Sequence, residues 1–137
     1  MDETVPSSRI SIPVHRHGDN RGELAVLTDE IPKNFDIKRI YYVKPVKKGQ
    51  KRGSHAHRSQ SQIIFVLSGR ITLTVFDGIS SYSVDIPENS DGILMQPLTW
   101  CTIESEDENS LYLVMANGQY DPSEYITDFE EFKKLRL

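Results

Sequence analysis

The sequence predicts an all-β domain, a sandwich or barrel, followed by one short C-terminal helix. Short runs rich in β-branched and aromatic residues are separated by turn signals about every eight to twelve residues. Helical spacing is confined to the last part of the chain, and 137 residues is the size of one domain. We therefore expect a single domain over 1–137, with a β portion over about 8–117 and a helix over about 122–135.

The predicted strands follow one another closely, with no repeat or linker between them. They are 24–28, 36–43, 61–67, 70–76, 81–86, 92–97, 100–105 and 110–116. Ser68-Gly69 predicts a tight hairpin between the third and fourth of these runs. Asp77-Gly78 predicts the turn that leads into the fifth.

The run 61–67 is apolar on both faces of its predicted strand. Alternation places Gln62, Ile64 and Val66 on one face and Ile63, Phe65 and Leu67 on the other. A strand that is apolar on both faces needs cover on both sides. We expect the C-terminal helix to supply part of the outer cover and a second copy of the chain to supply the rest, which predicts a homodimer.

The C-terminal pattern "YDPSEYITDFEEFKKLRL" predicts the helix. Asp121 is placed as N-cap, Pro122 at the first helical position and Glu124 three residues after the cap. Tyr125, Phe129 and Phe132 recur at helical spacing, and we interpret this aromatic stripe as packing.

Composition excludes several classes of function. A net charge of −4 argues against non-specific nucleic-acid binding, and the apolar content of 37% argues against a membrane span. The single cysteine, Cys101, points to a reducing cytoplasm, and 1–13 has no export-signal pattern. A basic stretch from Lys44 to Arg58 is either a solvated loop or a socket for an anionic ligand such as a diphosphate.

The most informative stretch is "GQKRGSHAHRSQSQIIFVLSG". The spacing of Gly49, His55, His57, Gln62 and Gly69 resembles the first cupin motif, G-x5-H-x-H-x4-E-x6-G, with Gln in place of Glu. In metal-binding cupins the two histidines, the Glu and a later histidine bind the ion. Here the carboxylate is missing, and the region that resembles the second motif contains no histidine. We therefore expect no tightly held metal ion.

The paired histidines then need another interpretation. Two residues apart on a strand, His55 and His57 project from the same face. Imidazole exchanges protons near neutral pH, which predicts general acid–base chemistry. The alternative is a vestigial pair held by hydrogen bonds inside a barrel. The other H-x-H pair, His15 and His17, has no glycine-spaced strand pair after it, and we interpret it as surface loop.

Nearly the whole chain, from about 18–27 to 120–132, resembles the dTDP-4-keto-6-deoxyglucose 3,4-ketoisomerases, the FdtA/QdtA (WxcM-like) group. The resemblance includes "KRIYYV", "RGSHAHR", "IIFVLSGRITLTVFDG" and "QPLTW" in family order. It implies a metal-free, RmlC-like cupin jelly roll that isomerises a dTDP-linked 4-keto-6-deoxyhexose through an enediolate, without a redox cofactor. It also implies a place in deoxy- or amino-sugar biosynthesis.

The resemblance also implies roles for individual residues. The catalytic set is His55, His57 and Tyr41, with Tyr41 chosen over Tyr42. The substrate-binding set is Arg21, Arg39, Arg52, Gln62, Trp100 and Cys101. Many relatives have a basic residue where Cys101 stands, so the configuration at C4 of the product stays open. Cys101 is alternatively a packed apolar residue.

Three rival functions stay open at this point. A 3,5-epimerase would use the same barrel and the same enolisation chemistry. A non-catalytic sugar-nucleotide binder would explain Cys101 as a sign of lost chemistry. A metal-dependent cupin enzyme is the third.

Overall fold

The computed structural model describes residues 10–45 and 47–136 and confirms the predicted all-β class. Residues 8 and 9, where the predicted β portion begins, lie outside the described residues. The strands are β1 Ile10–Ile12, β2 His15–Asp19, β3 Gly22–Val26, β4 Arg39–Val43, β5 Lys51–His57, β6 Gln62–Ser68, β7 Arg70–Phe76, β8 Ser81–Pro87, β9 Gly92–Met95, β10 Trp100–Ser105, β11 Leu111–Ala116 and β12 Tyr125–Ile126. One helix, α1 Phe129–Arg136, follows. No described helix is both long and apolar enough to span a membrane.

Two five-stranded antiparallel sheets face each other. One has the order β1-β9-β6-β11-β4 and the other β12-β5-β10-β7-β8, while β2 and β3 form a separate hairpin. The main core lies between the two sheets and includes Ile64, Val66, Leu73, Val75 and Val114. Alternate residues of β6, β7 and β11 meet there, because side chains on a strand point to opposite faces in turn.

The predicted tight hairpin at Ser68-Gly69 is wrong. β6 pairs with β9 and β11, whereas β7 pairs with β8 and β10, so the chain passes from one sheet to the other at this point. Gly69 has a φ of 73°, and a Cβ there would approach backbone atoms of Ser110 to 2.8 Å. Only glycine fits this close corner between the sheets. A hairpin turn also favours glycine because of its freedom to adopt a positive φ, so the sequence does not distinguish the two. The turn after β7 at Asp77-Gly78 is confirmed, since β7 and β8 are neighbours.

The alternation predicted for β6 is confirmed, but the predicted source of its outer cover is wrong. Ile63 and Phe65 pack in a second cluster with Ile12 and Phe35, joined by part-buried Val14, Leu27, Ile31, Ile37, Leu94 and Leu113. The chain's own N-terminal strand and the 27–37 segment therefore cover this face. The homodimer stays a prediction, but the need to cover the outer face of β6 no longer supports it.

The continuous helix predicted over 122–135 is also wrong. Pro122–Glu124 form a single 3₁₀ turn, whose cap Asp121 accepts a hydrogen bond from the Ser123 amide. The chain then extends as β12, and α1 begins only at Phe129, with Asp128 accepting from the Glu130 amide. Pairing of Tyr125–Ile126 with β5, together with complete burial of Ile126, outweighs the local helical preference.

The interpretation of His15 and His17 as surface loop is wrong as well. Both lie on β2, which pairs with β3 residue by residue from His15↔Val26 to Asp19↔Gly22. The pair remains at the surface: His17 is exposed and His15 is part-buried.

Candidate active site

A cavity of about 230 Å³ opens between the two sheets. It is lined by six of the nine predicted site residues, which are Tyr41, Arg52, His55, His57, Gln62 and Cys101. The remaining lining comes from Val43, Gly53, Met95, Gln96, Thr99, Ile103, Tyr112 and Tyr125. The residues that the sequence places on β4, β5, β6 and β10 thus converge on one space.

The paired histidines project from one face of β5 into this cavity, as their spacing predicts. Their ring centroids are 5.2 Å apart and the rings are nearly perpendicular, at 78°. His57 is 8% exposed, and neither Nδ1 nor Nε2 has a hydrogen-bond partner among the described residues. A buried polar group without a partner is costly in a folded protein and points to a ligand at this place.

The backbone of β5 just before the histidines contains a glycine with a positive φ and a β-bulge. Gly53 has a φ of 89°, and a Cβ there would lie 2.9 Å from the carbonyl oxygen of Cys101. The register between β5 and β10 shifts at this point, between Cys101 and Thr102. Such bulges redirect side chains next to functional sites. Here the bulge lies next to the pair formed by Cys101 on β10 and His55 on β5, and both residues line the cavity.

Burial keeps both imidazoles uncharged at neutral pH. It is the largest cause lowering the pKa of His57, which falls to about 4, with a further contribution from His55. Glu124 raises the pKa of His57 and Arg39 lowers it, both by smaller amounts. The pKa of His55 is also lowered, again mainly by burial. A neutral imidazole has a free lone pair, so both side chains are in the form that accepts a proton.

Tyr41 shares the cavity with the histidines, while Tyr42 on the opposite face of β4 is 66% exposed. Burial raises the pKa of Tyr41, and Arg39, the Gln62 side chain and Arg52 oppose that shift. The Gln62 Nε2 is buried without a partner among the described residues. The Tyr41 hydroxyl therefore stays protonated and can donate, and the amide beside it has a donor to offer.

Cys101 lies in the cavity as a neutral thiol. Burial raises its pKa to about 12, and its Sγ contacts the Thr99 carbonyl oxygen at 3.7 Å. A thiol in this state is not a nucleophile and is a poor proton donor compared with an imidazolium.

Arg39 does not line the cavity directly. Its guanidinium lies over the Tyr41 ring at 5.5 Å and over the Tyr120 ring at 5.8 Å, both within cation–π range. The Nε and Nη2 atoms are buried and have no hydrogen-bond partner among the described residues. Arg39 thus lies behind Tyr41, and its charge lowers the pKa values of Tyr41 and His57.

Arg21 and Trp100 lie elsewhere in this chain. Arg21 is at the β2–β3 turn with 86% of its side chain exposed, and it pairs there with Asp19. Trp100 alternates with Cys101 on β10 and so faces away from the cavity, where it packs on Phe129 and Phe132 of α1. Strand alternation sends neighbouring residues to opposite faces, so Trp100 does not line this cavity, and its predicted role in substrate binding stays a prediction.

The sequence analysis missed two tyrosines of the cavity. Tyr112 on β11 has its pKa raised to about 12, mainly by burial. It shares strand parity with the core residue Val114, so alternation could have placed it inside. Tyr125 was assigned to a helix, and only its pairing with His57 on β5 brings it to the cavity.

The predicted basic socket is divided by the fold. Arg52 lines the main cavity and, with Lys51 and Tyr112, a second depression of about 170 Å³ beside it. Arg58 turns the other way and donates to the Ser123 carbonyl and to Glu131. Among the described residues, no group of three or more His, Cys, Asp or Glu side chains is arranged to hold a metal ion. The metal-free site stays a prediction.

Comparison with known proteins gives consistent relatives. A TDP-4-oxo-6-deoxy-α-D-glucose-3,4-oxoisomerase from Aneurinibacillus thermoaerophilus is 28% identical over 116 residues, which is 85% of this chain and 84% of that protein. A variant of the 3,4-ketoisomerase QdtA from Thermoanaerobacterium thermosaccharolyticum, solved with TDP-4-keto-6-deoxyglucose, superposes with a TM-score of 0.88 at 25% identity over 96% of each chain. A 3,4-ketoisomerase from Helicobacter canadensis gives a TM-score of 0.85 at 30% identity, over 93% of this chain and 96% of that one.

The rmlC epimerase of Mycobacterium tuberculosis shares the fold alone, with a TM-score of 0.75 at 18% identity over 87% of this chain and 68% of that one. This likeness confirms the RmlC-like cupin architecture. A family model described as WxcM-like, C-terminal, and named FdtA, matches residues 8–136. The chain therefore belongs to the FdtA, WxcM-like C-terminal family.

Proposed function

We propose that this chain is a sugar-nucleotide 3,4-ketoisomerase that converts dTDP-4-keto-6-deoxyglucose to a dTDP-3-keto-6-deoxyhexose. The observation that carries the proposal is the pair of uncharged imidazoles on one face of β5 beside the Tyr41 hydroxyl, with His57 buried and His55 part-buried. The relatives described above are 3,4-ketoisomerases or oxoisomerases, and two of them are described with a TDP-linked 4-keto-6-deoxyglucose.

The chemistry needs only proton transfers. A base removes the C3 proton, the electron pair forms a C3–C4 double bond, and the C4 carbonyl becomes an enediolate oxygen. The C3 hydroxyl proton then moves towards the C4 oxygen as the new C3 carbonyl forms, and an acid protonates C4. His55 and His57 together accept the first proton and return the last, so no hydride or redox cofactor is required.

Charge develops on the C4 oxygen during this reaction, and donors aimed at it lower the barrier. The protonated Tyr41 hydroxyl and the unpartnered Gln62 Nε2 are the donors that the cavity offers. Arg39, which lies over the Tyr41 ring, adds a positive field without contacting the sugar. Arg52 and Lys51 at the adjoining depression are the groups we assign to the diphosphate, because guanidinium and ammonium groups bind phosphate oxygens.

The direct test is incubation with dTDP-4-keto-6-deoxyglucose in deuterated water, followed by NMR. We expect a new 3-keto product with deuterium at C4, and its C4 configuration distinguishes a galacto from a gluco product. Unchanged substrate after long incubation would contradict the proposal and favour a binding protein. Exchange of the C5 hydrogen with solvent deuterium would identify a 3,5-epimerase. Activity that disappears on exhaustive chelation and returns with metal would identify a metal-dependent cupin enzyme.

We also propose that the protein is a homodimer assembled through β4 and the β2–β3 hairpin. β4 is an edge strand of its sheet, with Ile40 and Tyr42 exposed, and the hairpin exposes Leu24. An open, apolar edge favours pairing with another strand. Arg21, which is outside this chain's own cavity, lies on that same hairpin.

Light scattering at micromolar concentration tests the assembly. We expect twice the chain mass for the native protein and a single chain mass for Tyr42→Glu. Ile79→Glu is the matched control, because Ile79 is equally apolar and 90% exposed but lies in the β7–β8 turn. A native protein that elutes with the mass of one chain would exclude the dimer.

The cellular setting follows from the proposed reaction. We propose a cytoplasmic enzyme that supplies 3-keto sugars for deoxy- or amino-sugar biosynthesis, consistent with a chain whose single cysteine is unpaired. A fluorescent fusion that retains activity would report the location.

A further inference from the structure

The segment after β11 closes one side of the cavity with the ring of Tyr125. The Tyr125 centroid is 4.8 Å from that of His55 and 4.7 Å from that of His57, with interplanar angles of 60° and 52°. These separations lie within the range of favourable aromatic contacts. One tyrosine ring therefore packs on both imidazoles at once.

Ring packing matters here because hydrogen bonding does not orient His57. A functional histidine is usually held in one orientation by a hydrogen bond to its second nitrogen. Neither nitrogen of His57 has such a partner among the described residues. The contacts that define the plane of the His57 ring are the edge contact with His55 and the tilted contact with Tyr125.

Tyr125 is itself firmly placed. β12 pairs with β5 in the register Tyr125↔His57 and Ile126↔Ala56, and both Ile126 and Ala56 are fully buried. The chain just before it is held by the Glu124 carboxylate, which accepts from the Ser59 amide at 3.0 Å, the Ser59 hydroxyl at 2.7 Å and the Gln60 amide at 2.9 Å. These bonds tie Glu124 to the turn between β5 and β6, so the ring has little freedom to move.

The groups facing His57 come from four elements. They are His55 on β5, Arg39 on β4, Glu124 on the 3₁₀ turn and Tyr125 on β12. Hydrogen bonds from Ser59 and Gln60 lower the pKa of Glu124 although burial raises it, so this carboxylate stays charged. The Tyr125 ring covers the imidazole face that it contacts, so it shields that face of His57 from water.

We infer that Tyr125 is a positioning residue for the paired histidines, whose ring holds both imidazoles in the orientation that faces the substrate carbons. The inference rests on the proposed isomerase function. The ring, rather than the hydroxyl, carries the effect, because the ring makes both contacts.

The test compares Tyr125→Ala, Tyr125→Phe and Phe129→Ala. Phe129 is the control, since it packs α1 on Phe76 and Trp100 without touching either histidine. We expect Tyr125→Ala to lower kcat by on the order of 100-fold, the effect of a misplacement near 1 Å. Tyr125→Phe should keep most of the turnover. In Tyr125→Ala the acid limb of the pH–rate profile should move to higher pH, because water reaches His57.

Histidine titrations followed by NMR give a readout that does not need turnover. Tyr125→Ala should raise the titration midpoint of His57, whereas Tyr125→Phe and Phe129→Ala should leave it in place. If the native protein shows no turnover, the proposed function fails while this titration still decides the packing claim. Equal loss in Tyr125→Phe and Tyr125→Ala would assign the effect to the hydroxyl and overturn the inference. Unchanged kcat and titration in Tyr125→Ala, or in Tyr125→Leu if the alanine variant does not fold, would overturn it too.

Discussion

The chain contains two H-x-H pairs on two strands, and only their surroundings distinguish them. His55 and His57 on β5 face a cavity, and His57 has no hydrogen-bond partner among the described residues. His15 on β2 is part-exposed and satisfied, with Nδ1 3.2 Å from Asp29 and Nε2 2.9 Å from Glu30, and His17 beside it is exposed. The same motif therefore lies at a cavity without a partner for His57 in one place, and beside two carboxylates at the surface in the other.

The difference lies in what each strand is packed against. β5 is an inner strand of its sheet, between β10 and β12, and its last three residues, His55 to His57, are part-buried or buried. β2 pairs with β3 alone, and its residues are part-buried or exposed. The nitrogens of His57 are buried without a hydrogen-bond partner among the described residues, so they can still bind a ligand. The nitrogens of His15 already contact the carboxylates of Asp29 and Glu30.

The largest effect we expect is on kcat, which should fall when a histidine of the cavity pair is replaced and not when one of the surface pair is. His57→Asn removes a proton carrier from the cavity and should lower kcat by about 10²–10⁴-fold. His15→Asn should leave kcat unchanged, since His15 lies outside the cavity. Steady-state assays of the two variants, after each is shown to unfold cooperatively, provide the measurement. Similar losses in both would remove the distinction.

The second effect concerns stability in acid. The pKa of His57 falls to about 4 in the folded protein, below its ordinary value of 6.5, so the unfolded chain binds a proton first as the pH falls. Stability is complete above pH 6.5 and declines between pH 6.5 and 4, by about 3 kcal/mol from this group. Urea unfolding at pH 7, 5.5 and 4 measures the decline. His57→Asn should flatten it and His15→Asn should not; parallel curves for the native protein and His57→Asn would contradict this origin.

A third effect compares the glycines near each pair. Gly53→Ala brings a Cβ to 2.9 Å from the Cys101 carbonyl oxygen at a φ of 89°, and should cost about 1–3 kcal/mol. Gly18→Ala meets only the Gly22 carbonyl at 3.9 Å, an ordinary contact, and should change stability little. Thermal unfolding of the two variants measures the contrast. Equal melting temperatures would mean that the bulge between β5 and β10 accommodates the added Cβ of Gly53→Ala without cost.

The smallest effect is that of the His15 ion pair. Glu30→Gln weakens a contact between two part-exposed side chains and should cost less than about 1 kcal/mol, with the difference shrinking further at high salt. Urea unfolding at low and high ionic strength checks it. A cost above that of Gly53→Ala would mean that the hairpin pair is structural rather than a surface contact.

Alternation along strands allowed much of the site to be predicted from sequence. The placement of His55 with His57 and of Gln62 with Ile64 depends only on a two-residue period, which a strand enforces locally. The choice of Tyr41 over Tyr42 came from the family resemblance and agrees with the same period. Applied to β10, the rule separates Cys101 from Trp100, although both belong to the predicted substrate-binding set.

The parts that could not be predicted depend on contacts between distant segments. The sheet change at Gly69 is decided by Ser110 across the corner, and the outer cover of Phe65 by Phe35. Tyr125 lies in a sequence with good helical spacing, and its extended conformation comes from pairing with His57. Local propensity is a weak guide where tertiary pairing competes with it.

Trp100 is the one tryptophan of the sequence, and its position gives the protein an intrinsic fluorophore. It packs on Phe129 and Phe132 of α1, on the face of β10 opposite to Cys101 and the cavity. Its emission therefore reports the docking of α1, since the indole lies outside the cavity. A shift in emission wavelength on adding ligand would mean that occupancy is transmitted through β10 to the C-terminal segment.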